Sequence, residues 1–184
     1  KFNNINNKQI NIVKILDNRC QCCNQKLKII YLNNYEKSIL INNLQNIYII
    51  NKNQELQFDK FKKYISNQKF KFIIDGGNIL YYRDRKINLN SYLKLNKLIN
   101  NLLKINKNKN KILLVIHVRH FNNIKKIFNK KESSLIDNLI NKWKKNITIY
   151  LTPYRMNDDW YSIYASLINT KSLIISNDLF KDHI

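Results

Sequence analysis

Aspartates stand directly after several apolar, strand-like segments of this chain, where their side chains could do chemistry. Asp75 ends the run KFKFIID and precedes Gly76 and Gly77, the only two glycines among 184 residues. The other aspartates of this set come later: Asp158 and Asp159 in NDDW, Asp178 in SND, and Asp182 four residues further on. Several carboxylates in a small space repel one another unless a cation neutralises them. Such oxygen ligands suit Mg²⁺ or Mn²⁺, and two of these ions can promote cleavage of a phosphodiester.

Each of these aspartates also has a structural explanation, because Asp in the first turn of a helix caps it and complements its dipole. For NDD and ND alone, capping is the commoner role. The coincidence of three such sites in a chain with only 12 acidic residues favours a metal site. Gly76 and Gly77 are expected to let the backbone turn sharply and to leave space for a phosphate or metal. Asn78 is expected to orient Asp75 or to cap the next segment.

The elements around these aspartates alternate between helical and strand-like patterns. Helices are predicted over 56–68, 88–106, 132–145 and 158–169, strands over 69–74, 111–118, 147–151 and 171–176, and a further helix from 177. This alternation predicts an α/β domain with a mainly parallel central sheet flanked by helices. Ligands of such folds bind at the carboxyl ends of the strands. We therefore expect Asp75, Asp158, Asp159 and Asp178 to lie together at one edge of the sheet.

The formal net charge of +21 indicates a polyanionic partner, a nucleic acid or an anionic membrane surface. No apolar run approaches the roughly 18 residues of a membrane-spanning helix, so we expect no membrane insertion. Side chains that follow the first two strands at the expected site are candidates for contact with the phosphates and bases of a nucleic acid. They are Tyr82, Arg83, Arg85, Arg119 and His120.

The first part of the chain differs from the rest. Residues 1–55 mix Asn and Lys with short apolar runs around CQCC, which holds all three cysteines. Clustered cysteines favour metal binding or reduced thiols over a disulfide framework. We therefore divide the chain into a small N-terminal segment, 1–55, and an α/β domain, 56–184.

Several of these motifs together resemble the nuclease domain of protein-only ribonuclease P, a member of the NYN group of PIN-like metallonucleases. The resemblance rests on FIIDGGNILYY, LLVIHVRH, NDDWYSIYASL and SLIISNDLFKDH, in this order and spacing. Upstream, RCQCCNQKLK resembles part of the zinc-binding central module of the same family. The family more often has DGAN where this chain has DGGN.

The resemblance implies a fold, a reaction and a set of roles. A PIN-like enzyme of this family removes the 5′ leader of precursor tRNA without a catalytic RNA subunit, leaving a 5′-phosphate on the tRNA. Its metal-binding aspartates correspond to Asp75, Asp158, Asp159 and Asp178, with Asp182 as a nearby helper. They would hold Mg²⁺ or Mn²⁺, two ions in all, which activate the attacking water. We expect a monomer located in an organelle, mitochondrion or plastid, with the nucleus as the alternative.

The resemblance also implies a structural zinc ion. Cys20 and Cys23 correspond to its C-x-x-C pair, and the family takes the remaining His and Cys from beyond the nuclease domain. These two ligands are not in this sequence, so we expect zinc in a longer protein, of which this chain is a fragment truncated at its C-terminus. Here the site is expected to be incomplete, with zinc either absent or bound with the help of Cys22 or a histidine.

Two other functions fit parts of the sequence. A PIN-like endoribonuclease acting on another RNA would need the same carboxylates, although NDDWY and the cysteine segment favour ribonuclease P. A non-catalytic RNA-binding module could keep the fold, although such a module has no need for all four aspartates.

Overall fold

The structure is a computed structural model, and it describes residues 15, 16, 19, 20, 32–48, 51–82, 84, 86–106, 111–169 and 171–178. The chain forms two compact units, residues 1–36 and 37–184. In the first unit, β1 (Ile15–Leu16) pairs antiparallel with β2 (Arg19–Cys20). Helix α1 (Asn34–Tyr48) begins at a reciprocal pair of hydrogen bonds between Asn33 and Glu36. The division into a zinc-binding segment and a nuclease domain stays a prediction.

The second unit alternates helices and strands as expected from the sequence. Its elements are the part of α1 from residue 37 onwards, followed by α2 (Lys52–Ile65), β3 (Phe72–Asp75), α3 (Gly76–Tyr81), α4 (Leu89–Ile105), β4 (Ile112–His117), α5 (Arg119–Asn122), α6 (Ile124–Ile127), α7 (Lys130–Asn146), β5 (Thr148–Thr152), α8 (Asp158–Ile168) and β6 (Leu173–Ile175). The four predicted strands and the four complete predicted helices are all present. The short helices α3, α5 and α6 were not predicted.

The described strands of this unit form one parallel sheet in the order β5-β4-β3-β6. Helices pack on both faces of the sheet, which confirms the predicted α/β class. Because all four strands run the same way, their carboxyl ends meet at a single edge. We call this edge the carboxyl edge.

Alternation along the strands divides the core into two layers. Phe72 and Ile74 of β3 pack with Leu114 of β4 against α4 and α7, where Tyr92 and Trp143 are buried. These two rings lie nearly parallel, with their centroids 6.5 Å apart.

The opposite face carries the odd-numbered residues of β3 and β4. Ile73 and Val115 pack there against α2 and α8, together with Phe61, Tyr161 and Tyr164. The aromatic side chains of α8 are therefore core residues, as their helical spacing indicates. Since α8 lies on this face, its first turn can approach the carboxyl edge.

Asparagine begins most of the longer helices. Asn51, Asn88, Asn129 and Asn157 each accept a backbone N–H bond at the start of α2, α4, α7 and α8. An N-cap of this kind stabilises a helix by about 1 kcal/mol. The asparagine-rich composition therefore has a structural use. No helix in the described ranges is both long and apolar enough to cross a bilayer.

Candidate active site

Strand register explains which polar side chains meet at the carboxyl edge. Residues aligned in parallel strands point to the same face of the sheet. Asp75 is aligned with Val115, and Thr152 with His117, two residues further along β4. Ser176 lies two residues beyond Ile174, which is aligned with Ile73. All four polar side chains therefore belong to the face on which α8 packs.

Asp75 connects the end of β3 to the start of α3. Its carboxylate accepts the backbone N–H of Asn78 at 3.3 Å, so it is the N-cap of α3. Its other oxygen accepts from the side-chain amide of Asn78 at 2.5 Å and from the Ser176 hydroxyl at 2.8 Å. The side chain is fully buried. Asp75 thus caps α3 and also contacts the polar side chains of Asn78 and Ser176.

Asn78 links the end of β3 to α8. The amide that binds Asp75 also donates to the carboxylate of Asp159 at 3.3 Å. One amide therefore holds together two carboxylates that are 84 residues apart in the sequence. We call Asp75, Asp158, Asp159 and Asn78 the acidic group.

Asp158 and Asp159 stand in the first turn of α8 but do not cap it. The cap is Asn157, whose side chain accepts the backbone N–H of Asp159 at 2.9 Å. Asp158 lies instead beside α3, where its Oδ2 occupies the space next to Gly77. In the NDD sequence, the asparagine is therefore the residue that caps the helix, and the two aspartates are not needed for capping.

Asp178 approaches the acidic group through Ser176. Its backbone N–H donates at 3.0 Å to the same hydroxyl that donates to Asp75. Its side chain is exposed. The structure thus places all four predicted aspartates after the carboxyl ends of β3, β5 and β6, while their function as catalytic and metal-binding residues stays a prediction.

Burial and like charge act on the acidic group. Burial raises the pKa of the Asp75 carboxyl, and the charge of Asp159 adds to this effect, while hydrogen bonds from Asn78 and Ser176 oppose it. The pKa of Asp158 is raised by burial and by the charge of Asp75. A bound cation would reverse this effect by favouring the ionised forms.

The donor atoms of the acidic group suit a hard divalent cation, since they are carboxylate and amide oxygens. Burial, the main cause of the raised pKa values of Asp75 and Asp158, outweighs the opposing effect of Arg119 and His117 on Asp158. Within the described ranges, no three Asp, Glu, His or Cys side chains are already arranged as a set of metal ligands. The residues therefore fit Mg²⁺ or Mn²⁺ in their chemistry, and binding would draw their oxygens together.

A second set of side chains follows β4, next to Asp158. His117 Nδ1 accepts the backbone N–H of Arg119 at 3.1 Å, and His120 Nε2 accepts Nε–H of Arg119 at 3.2 Å. We call His117, Arg119 and His120 the basic group. His120 is only 6% exposed, so it lies behind Arg119 and orients the guanidinium. Arg119 itself is exposed.

Both histidines are kept neutral by their surroundings. Burial and the nearby charge of Arg119 lower the pKa of His117, with an opposing effect from Asp158. Burial, Arg119 and His117 lower the pKa of His120 to about 4. A neutral His120 with its proton on Nδ1 can accept from Arg119, as the contact requires. Two exposed tyrosines border the group: Tyr154 contacts His117 edge to face, and Tyr81 contacts His120.

Of the remaining predicted site residues, only Tyr82 has a side chain within the described part of the chain. Tyr82 is 40% exposed and directly follows α3, and its contact with RNA stays a prediction. The predictions for Arg83, Arg85, Asp182 and Cys23, and for the side chain of Cys20, lie outside the described residues.

The glycines differ from their predicted use. The chain passes directly from β3 into α3 at Gly76, and neither glycine has a positive φ, so this change of direction does not depend on the conformational freedom of glycine. A Cβ on Gly76 would come within 2.9 Å of the Val115 carbonyl oxygen. Gly76 is therefore required by the close approach of α3 to β4. The space beside Gly77 holds Asp158.

Sequence reasoning missed Ser176 and the way in which His117 supports Arg119. Ser176 bridges Asp75 and Asp178, and His117 lies two residues beyond Val115, the register partner of Asp75. Counting alternate residues along each predicted strand could have identified both side chains.

Comparison with known proteins places this geometry in a family. The protein-only RNase P (PRORP) family model matches residues 16–184. The chain is 28% identical over 166 residues to proteinaceous RNase P 1, chloroplastic/mitochondrial, of Arabidopsis thaliana, covering 90% of the chain and 27% of that protein. It is 30% identical over 129 residues to proteinaceous RNase P 3 of the same plant, covering 69% of the chain and 21% of the relative.

A solved structure agrees in fold. The crystal structure of nuclear proteinaceous RNase P 2 (PRORP2) from A. thaliana matches with a TM-score of 0.65 at 24% identity, covering 93% of this chain and 34% of that one. The chain thus spans about a quarter of the length of the curated relatives and a third of this structure. Because the family model covers nearly all of it, the chain belongs to the protein-only RNase P family.

Proposed function

We propose that this chain is the nuclease part of a metal-dependent endoribonuclease that removes the 5′ leader of precursor tRNA. The observation that carries the proposal is the bridge by Asn78, which joins the carboxylates of Asp75 and Asp159 at the carboxyl edge. Family membership supports the substrate, since the relatives are named RNase P. The reaction needs no nucleophile from the protein and no catalytic RNA subunit.

The proposed reaction is hydrolysis of one phosphodiester. The oxygen of water bonds to phosphorus, and the bond from phosphorus to the 3′ oxygen of the leader breaks. The leader leaves with a 3′-hydroxyl after its oxygen takes up a proton, and the tRNA keeps a 5′-phosphate. Bound Mg²⁺ or Mn²⁺ would make a water more acidic and neutralise charge on the phosphate.

The aspartates after the strands and the side chains that support them have separate roles in this proposal. Asp75, Asp158, Asp159 and Asp178 would hold the cations, two in all, with Asp182 as helper. Asn78 and Ser176 orient Asp75 through their hydrogen bonds. These hydrogen bonds hold the Asp75 carboxylate in one orientation, which reduces the rearrangement of this side chain when a cation binds.

The basic group supplies a place for phosphate next to the acidic group. The exposed guanidinium of Arg119 binds a phosphate oxygen, and the neutral His120 orients it. Tyr82, Arg83 and Arg85 contact the RNA from the segment that follows α3. The net charge of +21 provides the remaining attraction for the RNA backbone.

The test is to incubate the full-length protein with one precursor tRNA and Mg²⁺ and to map both ends of each product. The proposal expects one cut at the mature 5′ end, giving a 5′-phosphate and a 3′-hydroxyl. Asp137→Asn on α7, which packs on the opposite face of the sheet, is the matched control and should cleave normally. Cuts only in other RNAs would favour a different PIN-like substrate, and binding without any cut would favour a non-catalytic module.

The remaining expectations concern zinc, oligomeric state and location. We propose that Cys20 and Cys23 bind a structural zinc ion in the whole protein, which a zinc assay of wild type against Cys20→Ser would test. The protein is proposed to act as a monomer. An organelle location is favoured by the relative named chloroplastic/mitochondrial, while the structure of a nuclear relative keeps the nucleus as the alternative. Imaging of a full-length fluorescent fusion would distinguish the two.

A further inference from the structure

Two exposed tyrosines stand at the ends of a row of aromatic rings at the carboxyl edge. Tyr154, His117, His120 and Tyr81 contact one another in this order, with ring centroids 5.6, 6.4 and 5.9 Å apart. Each contact is edge to face, at interplanar angles of 75°, 80° and 75°. The histidines are buried, whereas Tyr154 is 57% exposed and Tyr81 is 42% exposed. The row therefore presents aromatic surface to a ligand at both ends.

Tyr154 lies on the β5 side of the acidic group. Strand β4 lies between β3, which ends at Asp75, and β5, which ends at Thr152. Neighbouring strands are about 4.8 Å apart, so β5 lies roughly 10 Å from β3 across the sheet. The exposed side chain of Arg119 follows β4, between the two. Carboxylates, a guanidinium and an exposed aromatic ring thus follow one another across the edge.

A defined turn carries Tyr154. The backbone N–H of Met156 donates to the Pro153 carbonyl at 3.2 Å, and the side-chain amide of Gln54 on α2 donates to the Arg155 carbonyl at 3.4 Å. In the described part of the chain, Arg155 is the only residue with a positive φ, at 65°. This left-handed conformation suits glycine or asparagine, and strain of this kind is typical of binding and active sites. The turn and the contact with His117 order the Tyr154 ring before a ligand binds, which lowers the entropy cost of binding.

We propose that Tyr154 is a stacking surface for the last base of the 5′ leader, next to the scissile phosphate. The inference rests on the proposed function, which it deepens by naming the part of the RNA that the ring contacts. A base has to be unpaired to stack on an aromatic side chain. The leader is single-stranded at this point, whereas the first nucleotide of the tRNA is paired in the acceptor stem.

The surroundings of Tyr154 suit a nucleotide. Arg119 and Arg155 are both exposed, and they provide positive charge for the phosphates next to the base. Every base has a π-face, so stacking on Tyr154 should depend on the presence of a base and little on its identity.

The experiment is a double-mutant cycle with full-length protein and two precursor tRNAs. One RNA has an ordinary base as the last leader nucleotide, and the other has an abasic nucleotide there. All affinities are measured with Asp158→Asn also present, so that the RNA stays intact during the titration. Protein with Tyr154 should bind the ordinary RNA about 10-fold more tightly than the abasic RNA, within the range of stacking one base on an aromatic ring. Tyr154→Leu should bind both RNAs with nearly equal affinity, and Tyr154→Phe should keep the preference because stacking does not use the hydroxyl.

Two other tyrosines provide matched controls. Tyr64 is 42% exposed, and its hydroxyl contacts the carbonyl of Ile149 near the start of β5, at the end of the strand away from Tyr154. Tyr64→Leu should keep the full preference for the ordinary RNA. Tyr81→Leu decides which end of the row the base contacts, and it should also keep the preference. Loss of the preference in Tyr81→Leu but not in Tyr154→Leu would overturn the assignment.

Affinity and cleavage together separate this inference from the proposed function. Cleavage at the mature 5′ end, with an unchanged preference in Tyr154→Leu, would overturn the role of Tyr154 and leave the nuclease proposal standing. If the protein without Asp158→Asn binds precursor tRNA but does not cleave it, the proposed reaction is wrong, while loss of the preference in Tyr154→Leu would still support contact with the leader base. Equal affinity of the Tyr154 protein for the ordinary and the abasic RNA would overturn the inference whatever the cleavage assay shows.

Discussion

The acidic and basic groups lie side by side at the carboxyl edge and are built in opposite ways. In the acidic group, burial and like charge raise the pKa of two carboxyls, so the ionised forms are disfavoured at this position. In the basic group, burial and Arg119 lower the pKa of both histidines, so one arginine stands as the only permanent charge of the three residues. A bound cation would favour the ionised carboxylates of the first group, and the second group is suited to a single anion.

This contrast explains how one edge of the sheet could bind both a cation and a phosphate, as the proposed hydrolysis of a phosphodiester requires. A cluster of carboxylates alone would repel RNA, and a cluster of cations alone would bind RNA without holding a metal. Asp158 lies next to both groups: its charge raises the pKa of His117 in the basic group, and its carboxylate lies beside Gly77 of α3. Separate variants in the two groups should therefore separate catalysis from binding.

Loss of charge in the acidic group should have the largest effect. Asp158→Asn and Asp159→Asn should each lower single-turnover cleavage by about 100-fold to 1,000-fold, because a lost ligand removes several kcal/mol of stabilisation from the transition state. Asn157 caps α8, so the fold should survive. RNA affinity should stay close to wild type, as measured by a binding titration beside the cleavage assay. Wild-type rates in both variants would remove the acidic group from catalysis.

Repulsion within the acidic group should appear as a change in stability. A carboxyl with a raised pKa binds its proton more tightly in the folded state than in the unfolded state. The free energy of unfolding that this carboxyl contributes therefore falls as the pH rises above 3.8, the ordinary pKa of an aspartate. At neutral pH without divalent ions, Asp75→Asn should therefore raise the Tm. Mn²⁺ should raise the Tm of wild type by mass action and that of the variant much less.

Thermal unfolding with and without Mn²⁺, at several pH values, measures both effects. The control is Asp137→Asn, for which the Tm shift on adding Mn²⁺ should equal that of wild type. If Asp75→Asn is destabilising without metal, its capping and hydrogen bonds outweigh the repulsion, and the contrast between the two groups weakens.

The residues of this site that depend on local sequence pattern and strand order could be predicted from the sequence. Apolar periodicity located β3 through β6, and parallel connections then required Asp75, Asp158 and Asp178 to share one edge. These features are set by local pattern and topology. The short helices α5 and α6 were not predicted, because four residues are too few to show a helical periodicity.

Contacts between distant side chains could not be predicted in the same way. Gly77 and Asp158 are 81 residues apart, and their shared space depends on how α8 packs against β3 and β4. The second hydrogen bond of Asn78, to Asp159, depends on the same packing. The glycines were consequently predicted to serve a turn or a ligand, whereas the structure uses them for close approach of the backbone and of a carboxylate.

In the basic group, Arg119 should affect binding more than the chemical step. Arg119→Gln should weaken RNA affinity by roughly 10-fold and reduce the slope of log affinity against log salt by about one, as expected for a lost phosphate contact. Arg119→Lys keeps the charge but loses the geometry set by His120, so it should keep the salt slope and recover only part of the affinity. Titrations at several salt concentrations measure this, and an unchanged slope in Arg119→Gln would contradict the phosphate contact.

His120 should have the smallest effect, visible mainly as a dependence of stability on pH. Its folded pKa of about 4 lies below the ordinary 6.5, so the unfolded chain binds more protons between these values. The stability that neutral His120 provides is therefore complete above pH 6.5 and is lost as the pH falls towards 4. His120→Gln keeps an acceptor for Arg119 without a titrating ring, so its Tm should fall less than that of wild type between pH 7 and pH 5.

His120→Leu also removes the titration but leaves Nε–H of Arg119 without its acceptor. RNA affinity should therefore drop about twofold to threefold in this variant alone, near the value of one hydrogen bond. Equal affinities in the two variants would mean that His120 fills space beside Arg119 without orienting it.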